Sequence, residues 1–113
     1  MTSSYSLASG SAKAVTGLSV TLAAGTYILT TRVNFTSNAT GRRGIAITAT
    51  TSSPTEDTMQ VTQNAVSGTP TRMVNISMQS ITASTTYQVY AYQNSGSTLS
   101  IINSSAIYII KLK

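Results

Sequence analysis

Glu56 and Asp57 are the only side-chain carboxylates in the 113-residue chain, which contains no histidine and no cysteine. Adjacent residues in an extended segment point to opposite sides, so these two carboxylates do not form an acid/base pair over one substrate. Serines are abundant, but no imidazole is present to activate them, and Lys13 sits in no Ser-Lys motif. The missing residue types also remove the commonest general base and the commonest metal ligands. Calcium needs several oxygen donors; Glu56 and Asp57 would supply two, and no stretch has the pattern of a dedicated calcium loop. The sequence therefore reads as a non-enzyme with no cofactor and no metal.

Arg42-Arg43, set between Gly41 and Gly44, is the other chemically conspicuous feature. One reading is a flexible tip that contacts an anionic polymer or sugar phosphate on a cell surface. The other is a solvated hairpin, or an ion pair with Glu56 or Asp57 across subunits. The formal net charge is +5, but Lys13, Arg32, Arg72, Lys111 and Lys113 are dispersed and no aromatic residues interleave with them. Nucleic acid is therefore not an expected partner. Sequons at Asn34, Asn38, Asn75 and Asn103 carry little weight in so Ser/Thr-rich a chain.

The elements that must position these residues are strands. Charged residues make up 8% of the chain and apolar ones 41%, and the polar remainder is largely Ser and Thr, which suit a pleated, half-buried surface. In GTYILTTRVNF, from Gly25, Tyr27, Leu29, Thr31, Val33 and Phe35 fall on one face and Ile28, Thr30, Arg32 and Asn34 on the other. Leu18, Val20 and Leu22 alternate before it. Ile45, Ile47 and Ala49 alternate after the loop Asn38–Gly44. Thr51–Asp57, with Pro54 and both acids, is a solvent loop. Further strands run through Met59 and Val61, from Met73 or Val74 to Ile81, over Thr86–Gln93, through Leu99 and Ile101, and over Ile107–Leu112. About eight short strands with regular turns and no helical period predict an all-β sandwich or barrel in one domain. No apolar run is long enough for a membrane-spanning helix, and Met1–Gly10 lacks the shape of a secretion signal.

The last strand is apolar on both faces, with Ile107 and Ile109 on one and Tyr108, Ile110 and Leu112 on the other. Tyr90 and Tyr92 likewise oppose Val89 and Ala91. A half-exposed antiparallel strand should alternate, so a second apolar face predicts burial against another copy of the chain. The alternative is a central strand covered by the chain's own loops.

Gly25-Thr26-Tyr27 after a short alternating strand, a Tyr-rich strand over Thr86–Gln93 and a final apolar strand over Ala106–Leu112 resemble the jelly roll of tumour necrosis factor and complement-type globular heads. The stretches from Ala24 to Ile47 and from Val89 to Ile101 are similar to the version at bacteriophage fibre tips. That resemblance implies an antiparallel jelly-roll sandwich of about eight to ten strands, with residues 1–16 as a lead-in strand or stalk junction and 17–113 as the main sandwich. It implies a homotrimer whose axis is faced by one sheet holding the Gly25, Thr86 and final strands, with Ile28, Tyr90, Tyr92, Tyr108 and Ile110 as interface candidates. It further implies a virion-surface module that attaches to a bacterial glycan or protein, with Arg42 and Arg43 as a candidate receptor loop. The alternatives are the trimerisation cap of a collagen-like filament on a bacterial cell or spore, and a small lectin-like domain.

Overall fold

A computed structural model describes residues 1–51 and 53–113; Ser52, within the expected 51–57 loop, lies outside the described residues. The described chain is all-β. Its strands are β1 (Tyr5–Leu7), β2 (Lys13–Leu22), β3 (Gly25–Phe35), β4 (Arg42–Ala49), β5 (Val61–Asn64), β6 (Thr71–Ile81), β7 (Thr85–Gln93), β8 (Leu99–Ile101) and β9 (Ala106–Lys111). A single 3-10 turn, Glu56–Thr58, interrupts the loop before β5.

The strands form two antiparallel sheets packed as a sandwich. The first has the order β1-β8-β3-β6, with β9 also paired to β3 beyond β8. The second has the order β2-β7-β4-β5. Pairing is nested: β4 pairs with β5, β3 with β6, β2 with β7 and β1 with β8. Each sheet thus joins strands from both halves of the chain.

The core lies between the sheets. Tyr27, Leu29, Val33 and Phe35 of β3, Met73 and Ile81 of β6, and Ile101 of β8 meet Val15 and Leu18 of β2, Ile45 and Ile47 of β4, and Tyr87 and Val89 of β7. The inward face of β3 is therefore the Tyr27 face, and Ile28, Thr30 and Arg32 point outward. The Thr86 strand does not join the Gly25 strand and the final strand in one sheet, contrary to the expectation from resemblance. β7 pairs with β2 and β4, whose inward residues complete the opposite side of the core.

β2 reaches β7 only by way of an irregularity. Its register slips between Ala14 and Ser19. Gly17 adopts φ +92°, a left-handed conformation that side chains other than glycine rarely enter. The amide of Gln88 closes the gap by donating to the carbonyls of Val15 at 2.9 Å and Leu18 at 3.0 Å. Gln93 performs a similar task inside the core end of the sandwich, where it is fully buried. Its Nε2 donates to the Leu7 carbonyl at 3.0 Å and the Ser97 carbonyl at 2.7 Å, and its Oε1 accepts from the Ser95 amide at 2.8 Å. One side chain therefore ties β7 of the second sheet to β1 of the first and to the 94–98 hairpin.

Gln93→Leu keeps the volume but leaves those three backbone groups without their partner. It should lower the unfolding free energy by about 2–3 kcal/mol in urea titration. A loss below about 0.5 kcal/mol would mean that water replaces the amide and that Gln93 does not tie the sheets.

Candidate interaction surface

The outer face of the first sheet is built by three adjacent strands, β9, β3 and β6. Their register sets Tyr108, Thr30 and Ile76 in one row and Ile110, Ile28 and Met78 in the next. Ala106, Arg32 and Val74 form a third row. Among the described residues, eight large hydrophobic side chains are exposed, and all but Val66 belong to β6 or to β9 and its continuation. Ile76 and Met78 are 70% and 66% exposed, and Tyr108 and Ile110 are about half exposed. Contiguous apolar exposure of this kind marks an interaction surface. Of the expected interface residues, Ile28, Tyr108 and Ile110 are brought together here.

β6 contributes most to this face, and the sequence does not assign it. Its apolar residues at 74, 76 and 78 point outward, while Met73, Asn75 and Ile81 are buried. The pairing of Met73 with Val33 fixes that orientation, because both must enter the core. The Asn75 amide avoids isolation by donating to Gln60 Oε1 at 2.6 Å. Gln60 itself imitates a strand, accepting from the Ile47 amide at 2.9 Å and donating to the Ile47 carbonyl at 3.1 Å.

Tyr90 and Tyr92 are elsewhere, which corrects their grouping with the other three. They stand on the outer face of the second sheet and are buried, with Tyr92 4% exposed. The loop after β4 covers them: the Ser53 hydroxyl lies 3.3 Å from the Tyr90 hydroxyl, and Glu56 comes near enough to the Tyr92 phenol to raise its pKa. Met59 lies so close over Gly44 that a β-carbon there would fall 2.8 Å from its Cγ, so glycine is what lets the loop settle. Burial raises the Tyr92 pKa above its ordinary value of 10.0, and Glu56 adds to the rise against opposing effects of Arg42 and Asn94.

Arg42 and Arg43 do not form an exposed tip. Both belong to β4 rather than to the expected loop, so successive side chains part. Arg42 forms an ion pair with Glu56 of its own chain at 2.8 Å. Arg43 is fully buried and donates to the carbonyls of Asn38 at 3.0 Å, Thr40 at 2.9 Å and Arg42 at 3.2 Å. It folds the 38–41 loop back on the strand and has no free face for a receptor. Burial lowers its pKa.

The Asn34 end of the outer face carries a polar cluster. Arg32 donates Nη2 to the Ser104 carbonyl at 2.8 Å and stacks 5.4 Å above the Tyr108 ring. Arg72 donates Nε to Asn34 Oδ1 at 2.9 Å. Beside it is a cavity of about 380 Å³ lined by Asn34, Pro70, Arg72, Ile102 and Ser104. Among the described residues no group of three or more acidic, histidine or cysteine side chains could hold a metal, and no helix is long and apolar enough to cross a membrane. No family model, curated protein or solved structure matches the chain.

Arg43→Ala should cost roughly 3 kcal/mol of stability, because three backbone carbonyls, two of them in the 38–41 loop, lose a charged donor, whereas Arg42→Ala should cost no more than about 1 kcal/mol at its exposed ion pair. Equal losses in chemical denaturation would contradict the assignment of Arg43 to the loop. Tyr92 adds a pH dependence. A phenol whose folded pKa is raised confers stability that is intact below its unfolded pKa and is lost as pH climbs through the folded one. The melting temperature should therefore fall above about pH 10, and Tyr92→Phe should flatten part of that fall. Parallel melting curves of wild type and variant from pH 8 to 11 would show instead that the phenol titrates alike in the folded and unfolded chain.

Proposed function

We propose that the protein is a self-assembling jelly-roll module, a homotrimeric fibre tip that attaches a bacteriophage to a bacterial surface. The assembly half of this reading rests on one observation above all. The rows formed by β9, β3 and β6 expose isoleucine, methionine, valine and tyrosine side chains on a sheet face that no loop covers among the described residues. The partner that suits such a face is a second and third copy of the same surface, since homo-oligomer interfaces are richer in apolar area than other protein contacts.

Nested strand pairing supports the jelly-roll assignment, because a long hairpin wound around a barrel axis generates that order in both sheets. Attachment to a bacterium is carried by the resemblance of the stretches Ala24–Ile47 and Val89–Ile101 to fibre tips. A filament cap would share the assembly but not the attachment. Binding of the assembled protein to bacterial cells therefore distinguishes the two.

Light scattering on a sizing column should give a mass near three times the 11.8 kDa of one chain. Ile76→Asp and Tyr108→Asp each place a charge where apolar contact would exclude water, and each should shift the protein to monomer without unfolding it. A wild-type monomer at micromolar concentration would end the assembly reading, and a trimer unaffected by both variants would move the interface to another surface.

A further inference from the structure

We propose that the cavity at the Asn34–Arg72 end of the first sheet binds a carboxylate-bearing monosaccharide unit, with Arg72 holding the carboxylate. The inference supplies a ligand class for the attachment half of the proposed function and rests on that reading. A space of about 380 Å³ suits a ligand of one sugar ring and lies at the lower end of small-molecule sites.

The guanidinium of Arg72 is fixed before any ligand arrives. Its Nε donates to Asn34 Oδ1 at 2.9 Å. Asn34 is itself anchored, donating Nδ2 to Ser104 Oγ at 2.7 Å and its backbone amide to Ser105 Oγ at 2.9 Å. Among the described residues nothing bonds the two terminal nitrogens of Arg72, which form the planar pair that receives a carboxylate through two parallel hydrogen bonds. Arg32 brings a second positive charge to the other side of Ser104 through its 2.8 Å bond to that residue's carbonyl. Among the described residues no carboxylate forms an ion pair with either arginine. Glu56 is bonded to Arg42 over the second sheet, and Asp57 follows it in the same 3-10 turn.

The rest of the lining decides between a bare anion and a sugar acid. Pro70 and Ile102 are apolar walls that a free phosphate would leave uncovered but the C–H face of a pyranose would fill. The Ser104 hydroxyl, which accepts from Asn34, keeps its own hydrogen to donate to a ring hydroxyl.

The test is an NMR titration of the intact ¹⁵N-labelled chain with sodium D-glucuronate at constant ionic strength, with glucose, acetate and phosphate in parallel. The expected result is saturable shifts at the amides of Asn34, Arg72 and Ser104, with glucuronate at least about tenfold tighter than any control. Arg72→Gln, at an exposed position, should weaken glucuronate about tenfold or more while the oligomeric mass stays unchanged and the chain remains folded. No saturation with glucuronate, equal binding of phosphate or acetate, or undiminished binding by Arg72→Gln would each overturn the inference. The oligomeric mass is read on the same sample, so a trimer that ignores glucuronate rejects this site alone, whereas a monomer rejects the assembly.

Discussion

A β-sandwich has two outer faces, and this chain has one long excursion, between β4 and β5, with which to cover them. The excursion is spent on the second sheet. It lays Ser53, Glu56 and Met59 over Tyr90, Tyr92 and Gly44, so aromatic residues that point away from the core are nevertheless buried. Among the described residues the first sheet receives no such cover, yet its outer rows carry Ile28, Ile76, Met78, Tyr108 and Ile110. An isolated Leu or Ile on a surface is ordinary, whereas six large side chains on the outer face of β6, β9 and its continuation at Leu112 are not. The imbalance between the faces, rather than any single residue, is what the proposed assembly rests on.

With two acidic residues and seven basic ones, the chain has few charges with which to satisfy buried backbone groups, and it relies on amides instead. Gln88 fills the slip in β2, Gln93 joins the sheets at the β1 end, and Gln60 extends the ladder at Ile47. A primary amide donates and accepts from one planar group, so it can stand in for a peptide unit, and being neutral it carries a smaller desolvation cost than an ion. Arg43 is the exception. Its charge is buried, but three carbonyls surround the guanidinium, leaving only Nε without a partner. Two loop residues, Asn38 and Thr40, are thereby held by one strand residue, which explains why a stretch rich in glycine and arginine is not the mobile tip its composition suggests.

Much of the layout is legible in the sequence, because β2, β3 and the last strand announce themselves by period-two alternation and by Gly25 at a strand start. The two-faced apolarity of Ala106–Leu112 likewise signals a surface that needs a partner. What is not legible depends on which sheet each strand joins. Tyr90 and Tyr108 both look like outward aromatics on β-prone runs, and only pairing with β4 or with β3 separates them. In β6 the pattern misleads, since Val74, Ile76 and Met78 form the better apolar stripe but face outward. Asn75 takes the inward place, where Gln60, fifteen residues before it in the chain, supplies its hydrogen bond. A cross-sheet bond of that kind leaves no local trace. The same holds for Arg43, whose environment is made by carbonyls rather than by side chains of recognisable type.

Arg32 stands among the apolar rows, and a cation there is a difficulty for any interface that excludes water. Burying an unpaired guanidinium costs several kcal/mol, enough to cancel the contribution of several apolar contacts. The chain reduces that cost in advance. The Ser104 carbonyl accepts one of the terminal nitrogens, and the Tyr108 ring lies under the guanidinium at 5.4 Å, so part of the hydration shell is already replaced by fixed partners within the same subunit. Nε is already buried without a partner, which means that part of the desolvation is borne by the single chain before any contact forms. Tyr108 therefore has two roles on this face. It contributes apolar area, and its ring gives the Arg32 guanidinium a partner at 5.4 Å, which lowers the cost of covering that cation in the proposed assembly.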